Sequence, residues 1–342
     1  MFKKSLIAAS AICLALTGAS TVGTRATADT KDKKIVLSNS FAGNPWRQAM
    51  LGSWKKTGDQ AVKDGVVASA DAFTTAGNLV TEQSVQLQNL IREGYNAIVI
   101  DAASADGLNA DIKQACDAGI VVVSFDGIVN EPCAYRIMVD YEDMGAAEVK
   151  FIAQKLPQGG NVLEIRGEGG TAMDDAIHAG IDAELQKTPQ LKSVGSVHGD
   201  WDEDQAQKAV SGVLTSLPEI KAVVTQGGDG YGVAQAFKDS GRPTPLIIMG
   251  NRYEDLQWWK DQNQGTGYET MSVSIAPGMS TLAFWIAQQI LDGAKVPHDL
   301  VVPYLRIDQK DLDDAIKATP KGSVYNTDYT LDDAKQVIAD QH

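Results

Sequence analysis

From residue 34 onward, short apolar and β-branched runs alternate with longer stretches whose apolar positions recur every three or four residues. The first pattern argues for strands and the second for helices. The first half therefore predicts strands at 34–39, 66–73, 96–101, 121–126 and 135–140, with helices near 46–62, 79–93 and 107–118 between the first four. In the second of these helices Leu79, Val80, Val85, Leu87, Leu90 and Ile91 fall at helical spacing, as a face packed on a sheet requires. Gly94 and Gly119 stand where helices should stop. The segments 97–100 (AIVI) and 121–123 (VVV) are apolar at every position, which indicates a parallel sheet covered on both faces. A second set follows at 161–165, 193–198, 222–225 and 246–249, then a segment at 269–275, a helix at 278–291 and a strand at 301–307. Runs of only four or five strands describe two doubly wound α/β units, not one barrel. The stretch Val139-Asp140-Tyr141-Glu142 is not a Pro/Gly/Ser-rich break, so several short crossings between units are expected instead of one tether.

The N-terminus differs from this pattern. Lys3 and Lys4 precede an apolar run from Leu6 to Leu16, and a polar stretch then ends in Ala26-Thr27-Ala28. That is the layout of a secretory signal peptide cleaved near Ala28. The run is too short for a bilayer span, which takes about 20 residues. Cys13 lies inside the run behind Ile12, whereas a lipoprotein cysteine follows a small residue. Cleavage would remove Lys3, Lys4 and Arg25 and no acid, taking the net charge from −14 to −17. So acidic a chain is poorly suited to coating nucleic acid or an anionic membrane. At 342 residues, with 44% hydrophobic and 22% charged, the composition fits a globular protein with room for two domains. Export leaves two cysteines, Cys116 and Cys133, which either pair in an oxidising compartment or stay as buried thiols.

In open parallel sheets, ligands bind beyond the carboxyl ends of the strands. The residues there are 38–47 (SNSFAGNPWR), 125–127 (FDG), 167–175 (GEGGTAMDD), 199–202 (GDWD), 226–229 (QGGD) and 250–252 (GNR). Tryptophans, amides, carboxylates and two arginines recur among them. Such groups suit a sugar, whose C–H face packs on an aromatic ring while charged groups take its hydroxyls.

The stretches LSNSFAGNPWRQAM, LIREGYNAIVIDAASADGL, ACDAGIVVVSFD, GDWDEDQA, AVVTQGGDGYGVAQAF and ILDGAKVP occur in this order across residues 34–304. Together they resemble the periplasmic ribose-binding-like proteins of ABC importers. The resemblance implies an α/β fold of two doubly wound, Rossmann-like lobes joined by a three-strand hinge, the type I periplasmic binding protein arrangement. Crossings are expected near Tyr141, Met271 and Pro303. The N-terminal lobe would comprise 29–140 plus 274–302, and the C-terminal lobe 141–273 plus 303–342. The resemblance also implies a periplasmic monomer, with neither cofactor nor metal, that captures a monosaccharide or polyol and delivers it to a membrane permease. It gives Asn44 hydrogen bonding, Trp46 and Trp201 stacking from opposite lobes, and Asp126 the hydroxyl-binding carboxylate. Gln226 stands at the family's Asn, with Asp229 the alternative. The family's Arg-x-x-Gly arginine is replaced by Ile177, three before Gly180, for which Asp174 or Asp175 substitutes. Gly250-Asn251-Arg252 replaces Gly-Phe-Asp, Ser274 replaces the Gln of the hinge, and Arg47 replaces a second aromatic. These departures point away from ribose itself.

Competing readings are weaker. Trp258 and Trp259 are adjacent in a helix and read as packing residues. Asp200, Asp202 and Asp204 alternate as in a calcium loop, but Gln205 replaces the required Gly and Ser211 the terminal Glu; they read better as helix N-terminal acids. The segment 167–172 fits GxGxxA, yet no acid stands between Glu184 and Asp200 to hold a ribose, which argues against dinucleotide binding. An exported sugar-processing enzyme is the rival function, but neither GxSxG nor HExxH occurs. A sugar-responsive repressor would carry a DNA-binding helix pair where the signal peptide stands. Arg47 and Arg252 leave two possibilities open: a sugar acid, read by a receptor that signals to a chemoreceptor, or a neutral ligand with both arginines neutralising nearby acids.

Overall fold

The computed structural model describes residues 29–341. The proposed signal peptide lies outside the described residues. The chain opens as β1 (Lys34–Asn39), α1 (Pro45–Lys63), β2 (Ser69–Thr74), α2 (Val80–Arg92), β3 (Ala97–Asp101), α3 (Asn109–Asp117), β4 (Val121–Phe125) and β5 (Tyr135–Val139). These strands form a parallel sheet completed by a later strand, β11 (Asp299–Val302), in the order β11-β5-β4-β3-β1-β2. Alternate residues of the central strands enter two cores, which is why those strands are apolar throughout. Ile35, Leu37 and Val99 face the layer made by α1 and a later helix, α9 (Met279–Leu291), while Val36, Ile98 and Ile100 face α2 and α3. Cys116 and Cys133 form a disulfide between α3 and the loop before β5.

The second lobe runs through α4 (Tyr141–Lys155), β6 (Gly160–Arg166), α5 (Ala172–Lys187), β7 (Leu191–His198), α6 (Glu203–Val213), β8 (Ala222–Val224), α7 (Gly230–Ser240), β9 (Leu246–Ile247) and α8 (Tyr253–Thr266). Its parallel sheet has the order β7-β6-β8-β9, with α4 and α5 on one face and α6, α7 and α8 on the other. Helices α4 and α5 approach closely. A Cβ on Gly180 would stand 2.0 Å from the Glu142 carbonyl oxygen, and one on Gly145 would stand 2.3 Å from that of Ile177.

The chain crosses between lobes at Val139–Tyr141. It crosses again after β10 (Ser272–Ser274), which leads into α9 (Met279–Leu291) against the first sheet. The third crossing corrects the strand expected at 301–307. Pro303, which has no N–H to give a ladder, splits it into β11 of the first sheet and β12 (Leu305–Ile307), which pairs antiparallel with β10. A fourth crossing was not expected. Helix α10 (Leu312–Ala318) stays with α8, but α11 (Leu331–Asp340) returns to the first lobe and buries Ala334 and Ile338 against α9 and β11. The tail 303–342 therefore does not belong to the second lobe as a whole, because the apolar face of α11 finds its partner on the first.

Candidate ligand-binding site

The carboxyl ends of the two sheets enclose a cavity of about 400 Å³ that draws its lining from both lobes and the hinge. On the first-lobe side Asn44 caps α1, its side-chain oxygen accepting from the Arg47 N–H (2.8 Å), and Pro45 fills the first helical position. The next turn places Trp46 and Arg47 on the cavity wall. The Trp46 indole donates to the Ile275 carbonyl (2.8 Å), which fixes the ring against the hinge. The Arg47 guanidinium lies 5.6 Å from that ring and donates to Asn39 (2.9 Å). It also pairs with Asp101, and with Asp126 at 3.3 Å. Asp126 adopts a left-handed backbone (φ 54°), and a Cβ on the following Gly127 would sit 2.3 Å from the Ala102 carbonyl. This tight turn aims the carboxylate at the cavity. Burial pushes its pKa up, and Arg47 opposes the rise.

From the second lobe, Trp201 enters on a loop where both it and Asp200 are left-handed (φ 55° and 56°). Non-glycine residues in that region carry strain that functional sites often hold. The ring lies on bare backbone, since a Cβ on Gly167 would come within 2.2 Å of it. Arg252 clamps the loop by donating to the carbonyls of Trp201 (2.8 Å) and Gly228 (2.7 Å). Gln226 lines the cavity, but its amide is held by Asp174 (2.8 Å) and its oxygen accepts from the Gly167 N–H (3.0 Å). Asn251 and Ser274 also line it, and the buried Ser274 hydroxyl has no hydrogen-bond partner among the described residues.

Three expected site residues lie elsewhere. Asp174 is fully buried in a bidentate pair with Arg166 (3.1 and 2.6 Å) and accepts from the Gly167 N–H (3.0 Å). Burial alone would raise its pKa, but hydrogen bonds from Arg166 and Gln226 outweigh burial and hold it below the usual range. Asp175 sits outside the cavity beside the same arginine (3.1 Å). These acids organise the loop after β6 and do not replace the missing arginine at the wall. Asp229 is buried beneath the floor at the start of α7, where among the described residues no side chain hydrogen-bonds to its carboxylate. It forms a cluster with Asp255 and Glu203 around Arg252, with Glu203 3.7 Å from the guanidinium. Burial, with mutual repulsion, pushes Asp229 and Glu203 up to about 8. Burial, opposed by Arg252, pushes Asp255 up to about 6.

The cavity also takes Asn78, Ile275 and Val324, which sequence reasoning did not single out, and Met173 from the strand-end stretch 167–175. Asn78 has a left-handed backbone (φ 52°) directly after Gly77, a turn signal that could have marked it. Phe41, Glu168 and Asp200 line it too, from stretches already placed at the strand ends.

A family model for the periplasmic binding protein domain matches residues 35–295, and the chain belongs to that family. Within it the chain has the type I fold and is a solute-binding protein of the sugar-importing kind, with relatives that are periplasmic transport proteins and not enzymes. A solved ABC transporter solute-binding protein from Thermobispora bispora is 33% identical, with a TM-score of 0.81, covering 90% of this chain and 95% of that one. The xylitol-binding protein of Mycolicibacterium smegmatis is 26% identical over 92% of this chain and 87% of its own length. The D-allose-binding periplasmic protein of Escherichia coli is 28% identical over 56% of this chain and 65% of its own. A solute-binding protein from Actinobacillus succinogenes with bound D-allose shares the fold at 18% identity, with a TM-score of 0.71 over 83% of this chain and all of that one.

Proposed function

We propose that this chain captures a neutral monosaccharide or polyol between its lobes and delivers it to the permease of an ABC importer. The observation that supports this most is one cavity lined by Trp46 from the first lobe and Trp201 from the second, with the Asp126–Arg47 pair between them. Two aromatic faces offer packing to the C–H faces of a sugar ring, while the carboxylate, guanidinium and amides of Asn44 and Asn251 take hydroxyls in charge-assisted and neutral hydrogen bonds. A cavity of about 400 Å³ lies toward the small end of the ~300–1,000 Å³ range of small-molecule sites, as a single sugar requires. Because the contacts come from both lobes, ligand favours the closed arrangement that a permease recognises.

Charge argues for a neutral ligand. Arg47 faces Asp101 and Asp126, and Arg252 is engaged by two carbonyls and the Glu203–Asp229–Asp255 cluster, while Glu168 and Asp200 add negative charge at the wall. Among the described residues that line the cavity, no unopposed cation remains to hold the carboxylate of a sugar acid. The protein acts as a periplasmic monomer after loss of its signal peptide near Ala28, without catalysis, cofactor or nucleic acid. A thermal-shift screen over pentoses, hexoses and polyols identifies the ligand through the stabilisation that binding adds. Calorimetry of the best aldose against its aldonate then tests the charge argument: tighter aldonate binding refutes it, and turnover of any sugar refutes the receptor reading.

A further inference from the structure

The C-terminal segment lies outside the part of the chain that the family model matches, yet it reaches the site. On the second lobe, Val324 bridges antiparallel to Arg252, and the Tyr253 N–H donates to the Ser323 carbonyl (2.9 Å). Tyr325 is held at both ends of its peptide: its N–H donates to the Asn251 carbonyl (2.7 Å), and its carbonyl accepts from the Asn251 amide (2.7 Å). On the first lobe, the Asn326 side chain accepts from the Gly278 N–H (2.6 Å) and donates to Ser53 (2.8 Å). Asp328 takes Ser53 (2.6 Å) and Lys56 (2.9 Å) on α1, the helix that carries Trp46 and Arg47, and the Tyr329 N–H donates to Thr281 on α9 (2.8 Å). The contact leaves no slack, since a Cβ on Gly278 would stand 1.9 Å from the Thr327 carbonyl.

Six residues thus run from two cavity residues of one lobe to the helix bearing two cavity residues of the other. Resting on the receptor reading above, we propose that this strap is part of the ligand site: Val324 is a specificity-determining wall that limits ligand length, and Asn326 and Asp328 are positioning residues that set the two lobes' aromatic faces relative to each other. Val324 is 4% exposed and lines the cavity, so a larger side chain there takes up cavity space.

The test uses D-ribose, D-allose and xylitol as probes, since D-allose extends the ribose pyranose by one CH2OH group. Val324→Phe is expected to lower D-allose affinity at least tenfold more than D-ribose affinity, and Val324→Ala to leave the ratio equal or shift it toward D-allose. An unchanged ratio in both variants overturns the wall. The positioning role has a readout that needs no ligand. Spin labels at the exposed helix positions Lys63→Cys and Lys187→Cys report the inter-lobe distance. The Asn326→Ala/Asp328→Ala double variant is expected to broaden its distribution, and a distribution of unchanged width overturns the positioning role. If D-ribose and D-allose do not bind, the same ratio is read on a pentose and hexose pair from the thermal-shift screen. If no sugar or polyol of that screen binds the wild-type protein, the sugar reading fails and the wall with it, while the distance measurement still judges the positioning role.

Discussion

Replacing Arg47 by methionine keeps the aliphatic stem and removes the one cation that Asp101 and Asp126 share. The Asp101 side chain is fully buried, Asp126 is 10% exposed and Arg47 15%, so the three groups form an interior ion cluster. In the variant Asp101 retains only the Gly127 N–H at 3.2 Å among the contacts that face this turn. Breaking a buried pair by removing one partner costs about 3–5 kcal/mol. At ~2–4 °C per kcal/mol for a chain of this size class, the melting temperature should fall by roughly 6–20 °C. The deficit depends on pH. Burial already raises the Asp126 pKa, with Arg47 opposing, and losing Arg47 raises it further. A folded-state pKa above the unfolded value gives stability that is present at low pH and lost as pH rises through the folded pKa. The variant should therefore recover toward wild type as pH falls from 7 to about 4.5. Urea unfolding of both proteins at the two pH values measures this. A deficit under ~1 kcal/mol at pH 7, or one that does not narrow in acid, would refute the reasoning.

Asp229→Asn removes a carboxyl that titrates at about 8 in the folded protein. That group's stabilising contribution is lost between about pH 4 and 8, at up to ~1.4 kcal/mol per pH unit. The variant should gain on wild type between pH 5 and 8 in paired denaturant melts, and a constant difference contradicts the assignment. Reducing the Cys116–Cys133 disulfide, whose partners are 17 positions apart, should cost about 3 kcal/mol and a corresponding drop in melting temperature. The Cys116→Ser/Cys133→Ser variant should be insensitive to reductant, and a wild-type melt that ignores reductant would sink this expectation. Gly180→Ala should destabilise by about 1–3 kcal/mol because α4 blocks the new methyl. Gly212→Ala, where a methyl meets nothing within 4 Å on exposed α6, should instead stabilise by about 0.5–1 kcal/mol; equal effects at both sites would remove the packing explanation.

What the sequence revealed follows from the range of the interactions involved. Strands such as β3 and β4 declare themselves because burial on both faces demands an unbroken apolar run. Trp46, Asp126, Trp201 and Arg252 stood out because they stand at the carboxyl ends of strands, where this topology places ligands, and all four line the cavity. Asp174 stood out for the same reason and misled. Its partner Arg166 sits eight residues earlier on β6, and nothing local tells whether a carboxylate at a strand end faces the cavity or an arginine behind it. Asp229 misled likewise, being sealed under the floor by α8 and its own helix. Val324 carried no signal at all. An isolated valine in a polar tail acquires meaning only when Tyr325 pairs with Asn251, 74 residues away. The split at Pro303 was legible in principle from the missing N–H, but assigning the halves to different sheets required both partners.

The proposed capture between the lobes requires Trp46 and Trp201, which line one cavity, to grip one ligand together. Titration calorimetry of the wild type, Trp46→Ala and Trp201→Ala with the sugar found in the thermal-shift screen tests this most directly. Each variant, folded by circular dichroism, is predicted to bind at least tenfold more weakly than wild type, a loss of about 1.4 kcal/mol or more. Wild-type affinity in both variants would place the ligand elsewhere and contradict capture between the lobes.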